Sequence, residues 1–133
     1  MRFPSHSSLP VRLALMVVLA AVSALPRSAA AQTPQARAAT KAEYEGWRQY
    51  MTNCARCHGD DGVGGVMAPD LRKAVASDTL KETTFRTTVS EGRVAKGMPS
   101  FKHTLHTEQI DAIYAYLRAR ASGELPAGRP KSQ

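Results

Sequence analysis

The sequence predicts an all-α fold, and three observations carry that expectation. Tyr44, Trp47, Tyr50, Met51 and Cys54 recur at helical spacing, and so do Ile110, Ile113, Tyr114, Leu117 and Ala121. Each set marks the apolar face of a helix. Between them lies Cys54-Ala55-Arg56-Cys57-His58, whose spacing suits a helical turn because residues three and four apart share a face.

That C-x-x-C-H run reads as a covalent haem attachment site. Two thiols on one helical face can each add to a vinyl group on the same edge of a porphyrin. His58 follows directly and can present an imidazole nitrogen to the iron. Cys54 and Cys57 are both of the chain's cysteines. A thioredoxin-like redox pair would want a βαβ context, and zinc would want a second cluster of Cys or His. Neither is visible, so the expected cofactor is one covalently bound haem c.

In chain order, the 133 residues suggest one domain. Residues 1–12 are polar and basic, residues 13–25 are apolar, and Ala29-Ala30-Ala31 supplies small residues. Together these form the three parts of a secretory signal peptide, residues 1–31, with an apolar run too short to span a bilayer. Cleavage would lower the formal charge from +7 to +4, because it removes Arg2, Arg12 and Arg27 and no acid. Export to the periplasm is the expectation, with no transmembrane segment left afterwards. Thioether attachment there protects two thiols that would otherwise close as a disulfide.

Residues 32–40 read as a flexible leader, residues 41–123 as the folded domain and residues 124–133 as an extended, mobile tail. Gly46 sits inside the first helical pattern, where it costs stability relative to Ala; close approach of another helix is a reason to keep it. Gly59-Asp60-Asp61-Gly62-Val63-Gly64-Gly65 is a loop whose glycines suit positive φ. It follows no strand and lacks the lysine of a phosphate-binding loop. No nucleic-acid partner is expected. A helix is predicted from Asp78, as N-cap, to Glu91, stopped by Gly92. The last helix is capped by Thr107 and closed by Gly123, and its apolar face should cross the first helix near Gly46 and Tyr50.

Residues 43–122 resemble the class I c-type cytochromes. The likeness rests on residues 54–58, on Gly46 and Tyr50 before them, and on Ala68-Pro69-Asp70-Leu71 and Gly97-Met98-Pro99-Ser100-Phe101 after them. It implies a cytochrome c-like fold of three to four helices packed around the haem. It also implies that the Pro69 carbonyl accepts from the His58 ring N–H, an interaction that orients a ligating histidine.

The second axial ligand separates a carrier from a catalyst. Met51 lies on the attachment helix and cannot turn to the far face, and Met67 suits packing in the haem pocket. His103 and His106 are rival ligands near a helix start. Met98 lies in a loop between two predicted helices, flanked by Gly97 and Pro99, and matches the family's ligand loop; it is the choice. With His58 and Met98 on the iron no site is left for a substrate. The expected function is one-electron transfer rather than enzymatic catalysis, a haem sensor or enzyme with a labile sixth ligand being the alternative. Arg56, Arg72, Lys73, Lys96 and Lys102 could steer acidic redox partners. Residues 116–130 look like the tails of small cytochromes associated with PQQ-dependent alcohol dehydrogenases. A general respiratory carrier donating to a terminal oxidase is the other reading.

Overall fold

Thr40 starts the first helix. Its hydroxyl accepts from the Glu43 N–H at 3.2 Å, and the Glu43 carboxylate accepts from the Thr40 N–H at 2.8 Å. Two donors that a helix start leaves unpaired are thereby satisfied reciprocally. The computed structural model describes residues 36–77 and 79–133, so the signal peptide and Asp78 lie outside the described residues. Helix α1 spans Lys41–Asn53 and, after a kink at Cys54, continues as the single turn α2, Ala55–His58. Helix α3 spans Leu71–Ala76, with the Asp70 carboxylate accepting from the Lys73 N–H at 3.0 Å as its cap. Helices α4, Glu82–Glu91, and α5, Thr107–Ala121, complete the set. Two further helical turns, Asp60–Gly62 and Val94–Lys96, lie in the loops.

The all-α expectation is met: among the described residues there are five α-helices and, in place of strands, two isolated bridges. The two short ones, α2 and α3, offer too few turns for a periodicity to be read. Helix α4 begins later than residues 78–80. The Leu80 N–H donates to the Ala74 carbonyl at 3.2 Å, and its own carbonyl accepts from the Tyr114 hydroxyl at 3.3 Å. Those bonds hold Leu80 in a turn against α5 instead of in a helix. The N-cap of α5 is His106 rather than Thr107, because Gln109 reaches back to the His106 N–H at 2.9 Å.

The core is the crossing of α1 and α5, as the two apolar faces require. A Cβ on Gly46 would stand 1.9 Å from the Ala112 carbonyl oxygen, so only glycine lets the backbones meet there. The rings of Tyr50 and Tyr116 pack 5.6 Å apart, and both are fully buried. Val75 from α3, Phe85 and Val89 from α4, and Leu105 extend this core. Each such side chain contributes about 1.5–3 kcal/mol by leaving water.

Residues 36–40 and the tail are bonded to the rest of the fold. Ala39, 0% exposed, donates its N–H to the Lys131 carbonyl at 2.7 Å and accepts from the Gln133 N–H at 3.1 Å. Arg37 holds the Glu43 carboxylate at 2.7 Å and that of Glu124 at 2.6 Å. Leu125 is 1% exposed, and Arg129 stacks over Tyr44 and Trp47. Composition makes these segments look solvated; hydrogen bonds between residues distant in sequence and one buried leucine hold them nonetheless.

Candidate functional site

The attachment turn grows directly out of α1. The Cys54 N–H donates to Tyr50, and the Cys57 and His58 N–H groups both donate to the Cys54 carbonyl at 3.1 and 3.0 Å. The two thiols therefore share one helical turn; both are unpaired and half-buried. Burial pushes the Cys54 thiol up to about 12, with the neighbouring Cys57 adding to the shift.

His58 Nδ1 lies 3.0 Å from the Pro69 carbonyl oxygen. A carbonyl can only accept, so Nδ1 carries the proton and Nε2 keeps its lone pair for a metal. The loop between these residues brings them together. Gly64 donates its N–H to the His58 carbonyl at 2.7 Å and has φ of 80°. A Cβ there would stand 2.6 Å from the Asp70 nitrogen and 2.9 Å from the Pro69 carbonyl carbon. Glycine at position 64 is thus what allows residues 69–70 to close over the loop. The Tyr50 hydroxyl anchors the same loop by donating to the Gly59 carbonyl at 2.7 Å.

Met98 is half-buried and packs against the same core as Cys54, with Leu80, Phe101 and Tyr114. Its loop closes on itself through Arg93: the Arg93 N–H donates to Met98 at 2.9 Å, and the Met98 N–H donates to Arg93 at 3.2 Å. Gly97 makes the reversal at φ 84°. Among the rivals, Met67 is 78% exposed, and His103 and His106 are exposed. Of the five proposed steering cations, Arg56, Lys73, Lys96 and Lys102 are exposed, while Arg72 is half-buried beside Asp70.

These residues fit a haem. Two unpaired thiols share a turn, one imidazole nitrogen is left free for iron, and a thioether lies on the loop of a second helix. Val63, Val66 and Met67 follow His58 and Val94 precedes Met98; all four are exposed, which suits a large apolar group.

One part of the site has no counterpart in the sequence reading. Asp61 is the one non-glycine residue with positive φ (59°) among the described residues. Its carboxylate accepts from the Tyr116 hydroxyl at 3.1 Å and from the Gly128 N–H at 3.0 Å, and pairs with Arg120 at 3.3 Å. The visible signal is Arg120, a charge on the otherwise apolar α5 face.

Comparisons with known proteins show the family. Residues 41–117 match the family described as cytochrome C oxidase, cbb3-type, subunit III. The chain is 40% identical over 96 residues to cytochrome c-553I of Paracoccus denitrificans, which covers 67% of this chain and 42% of that protein. It is 33% identical to cytochrome c-555 of Methylococcus capsulatus, over 81% of this chain and 86% of that one. It is 41% identical over 76 residues to the quinohemoprotein alcohol dehydrogenase ADH-IIG of Pseudomonas putida, of which it spans 10%. The crystal structure of the c-type cytochrome XoxG from Methylobacterium extorquens AM1 superposes with a TM-score of 0.62 at 30% identity, over 70% of this chain and 59% of that one. The chain thus spans less than half of the Paracoccus relative and a small part of the dehydrogenase. Matched over more than half of its own length, it belongs to the cytochrome c family described as cytochrome c oxidase, cbb3-type, subunit III, and its cofactor is covalently bound haem c.

Proposed function

We propose that this chain is a periplasmic one-electron carrier, not an enzyme, in which Cys54 and Cys57 hold the haem through thioethers and His58 and Met98 are its axial ligands. The observation that carries the reading is the His58–Pro69 hydrogen bond, which fixes the tautomer a metal needs. Bound haem supplies an iron that cycles between Fe(III) and Fe(II). The chain's own residues do the rest. The Pro69 carbonyl orients the imidazole and raises its basicity. The Met98 thioether favours the reduced state and occupies the position a substrate would need. Residues 1–31 act as the export signal, and among the described residues no helix is long and apolar enough to cross a membrane.

The electron donor in this reading is a quinoprotein alcohol dehydrogenase. Support comes from the relatives whose names join quinone and alcohol dehydrogenase, including the Acetobacter aceti dehydrogenase subunit, 39% identical over 90 residues. A second reading, donation to a terminal oxidase, is favoured by the match of residues 41–117 to an oxidase-subunit family. The two can hold together, as donor and acceptor of one carrier.

The test is stopped-flow reduction by purified quinoprotein alcohol dehydrogenase and its alcohol across a salt series. Redox encounters are small and transient, so charge sets the on-rate. Against an acidic dehydrogenase, reduction should slow as salt shortens screening to ~8 Å at physiological ionic strength. Lys96→Glu and Lys102→Glu should slow it further with an unchanged spectrum. Negligible reduction at every salt concentration rejects this donor; rapid reduction indifferent to salt keeps the donor and rejects the steering.

A further inference from the structure

We propose that the C-terminal tail is a latch on the His58 side of the haem site, with Asp61 and Arg120 as positioning residues that set the strength of the His58–Pro69 hydrogen bond. The inference rests on the reading of His58 as an iron ligand.

The tail reaches the loop by a continuous set of bonds. The Leu125 N–H donates to the Ala119 carbonyl at 3.1 Å, and the Arg120 guanidinium donates to the Leu125 carbonyl. Arg120 is 7% exposed, and its Nε, which makes no hydrogen bond, faces Asp61 Oδ1 at 3.3 Å. A buried guanidinium with an incomplete hydrogen-bond set is costly to hold unless a carboxylate neutralises it. Asp61 is that carboxylate, and three residues converge on it: Tyr116 from the core of α5, Arg120 from its end and Gly128 from the tail.

Asp61 itself adopts a left-handed conformation, a state an aspartate visits only at some cost. The three partners hold it there. Its position in the loop gives the arrangement a purpose beyond closing the fold. Gly59, two residues before Asp61, accepts from the Tyr50 hydroxyl, and Gly64, three residues after it, donates to the His58 carbonyl and abuts residues 69–70. Asp61 is therefore the midpoint of the segment that holds Pro69 against His58. Loosening it lets the loop relax away from Pro69. A weaker acceptor makes the imidazole a poorer donor to iron, which favours Fe(II) and raises the potential.

The experiment uses the haem-loaded protein, its Asp61→Asn variant and a chain ending at residue 123. In each, the redox equilibrium is titrated and exchange of the His58 Nδ1 proton with solvent is followed by NMR. Wild type should show a slowly exchanging, iron-shifted His58 Nδ1 resonance; its absence would mean that His58 is not the ligand, and would sink the underlying reading rather than the latch. Asp61→Asn keeps the size and one of the two acceptor oxygens but loses the charge facing Arg120. Both altered chains should exchange the proton at least tenfold faster. Their Fe(III)/Fe(II) equilibrium should shift roughly threefold toward Fe(II), about 28 mV upward at about 59 mV per decade for one electron. A fall in Tm with unchanged potential and unchanged exchange would reduce the latch to a structural clasp and overturn the proposal. If the shortened chain does not fold, Asp61→Asn decides alone.

Discussion

The loops that carry His58 and Met98 are held in different ways. The His58 side is tied to three separate parts of the molecule: to α1 through the Tyr50 hydroxyl, to α5 through Tyr116 and Arg120, and to the tail through Gly128. The hydrogen bonds that the Met98 loop makes to other elements reach one. Phe101 and Lys102 donate their N–H groups to Val89 and Ser90 at 3.1 and 3.2 Å, and the Ser100 hydroxyl donates to Ser90 at 2.5 Å. Every one of those acceptors lies in the last turns of α4, which meets α5 through the Phe85–Tyr114 ring pair. A segment bonded to a single helix end can open as a unit, whereas one bonded to several elements opens only with the fold. With the proposed ligands, stress on this protein should therefore release Met98 from the iron well before His58.

The largest effect expected is on the His58 side. Cys57→Ser should lose most of the haem-loaded protein, because one thioether remains to capture the group during maturation. Acid–acetone extraction reads the outcome: in the unaltered protein the colour stays with the chain, and colour moving into the solvent would refute covalent attachment. Next comes Met98→Ala, which should lower the potential and admit cyanide or carbon monoxide to the iron. The His58 Nδ1 resonance should persist, since none of its supports touches the Met98 loop. An unchanged spectrum and potential would mean that Met67, His103 or His106 is the ligand.

The contrast also explains what the sequence made legible. Helical periodicity and the C-x-x-C-H spacing are local patterns, and they disclosed α1, α5, their crossing at Gly46 and the attachment turn. Pro69 and Met98 came from family resemblance, because neither a lone proline nor a lone methionine announces a role. The bonds of the tail are not legible: Arg37, Glu124 and Gly128 find partners as far apart as 67 and 87 residues, and no local pattern reports a pairing of that span. Asp61 and Arg120 were missed for the same reason. The capping box Thr40-Lys41-Ala42-Glu43 was a local signal that could have been read, and would have placed the helix start at Lys41 on physical grounds.

A smaller effect should separate the loop from its ligand. Ser100→Ala removes one hydrogen bond to Ser90 without orphaning it, because the Lys102 N–H still donates to the same carbonyl. The loss should be about 1 kcal/mol, confined to the Met98 side. The readout is the temperature at which the sulfur-to-iron(III) absorption band disappears, compared with the temperature of global unfolding. The first should fall and the second should hold. Equal falls in both would mean that the two loops open together, against the comparison.

The smallest effect belongs to the Arg37 clasp between the paired chain ends, whose own bonds touch neither ligand loop directly. Arg37 grips Glu43 and Glu124 together, and its hydrogen bonds hold the Glu43 carboxylate down at about 2. The ordinary value is about 4.3, so the folded state binds this proton less readily than the unfolded one. The stabilisation is then complete above the ordinary value and is lost as pH falls toward about 2. Glu43→Gln should cost on the order of 1 kcal/mol at neutral pH, a modest figure because Arg37 remains partly exposed to screening solvent. The check is Tm of wild type and variant from neutral pH down to about 2, where the curves should draw together because about half of the wild-type carboxylate is by then protonated. Curves that stay parallel would show that Glu43 contributes no ionised stabilisation. The potential should not move in this variant, since the tail keeps its Asp61 and Arg120 bonds. A shifted potential would mean that the Arg37 end of the tail also reaches the haem site, and that the ligand loops are less separately supported than their hydrogen bonds indicate.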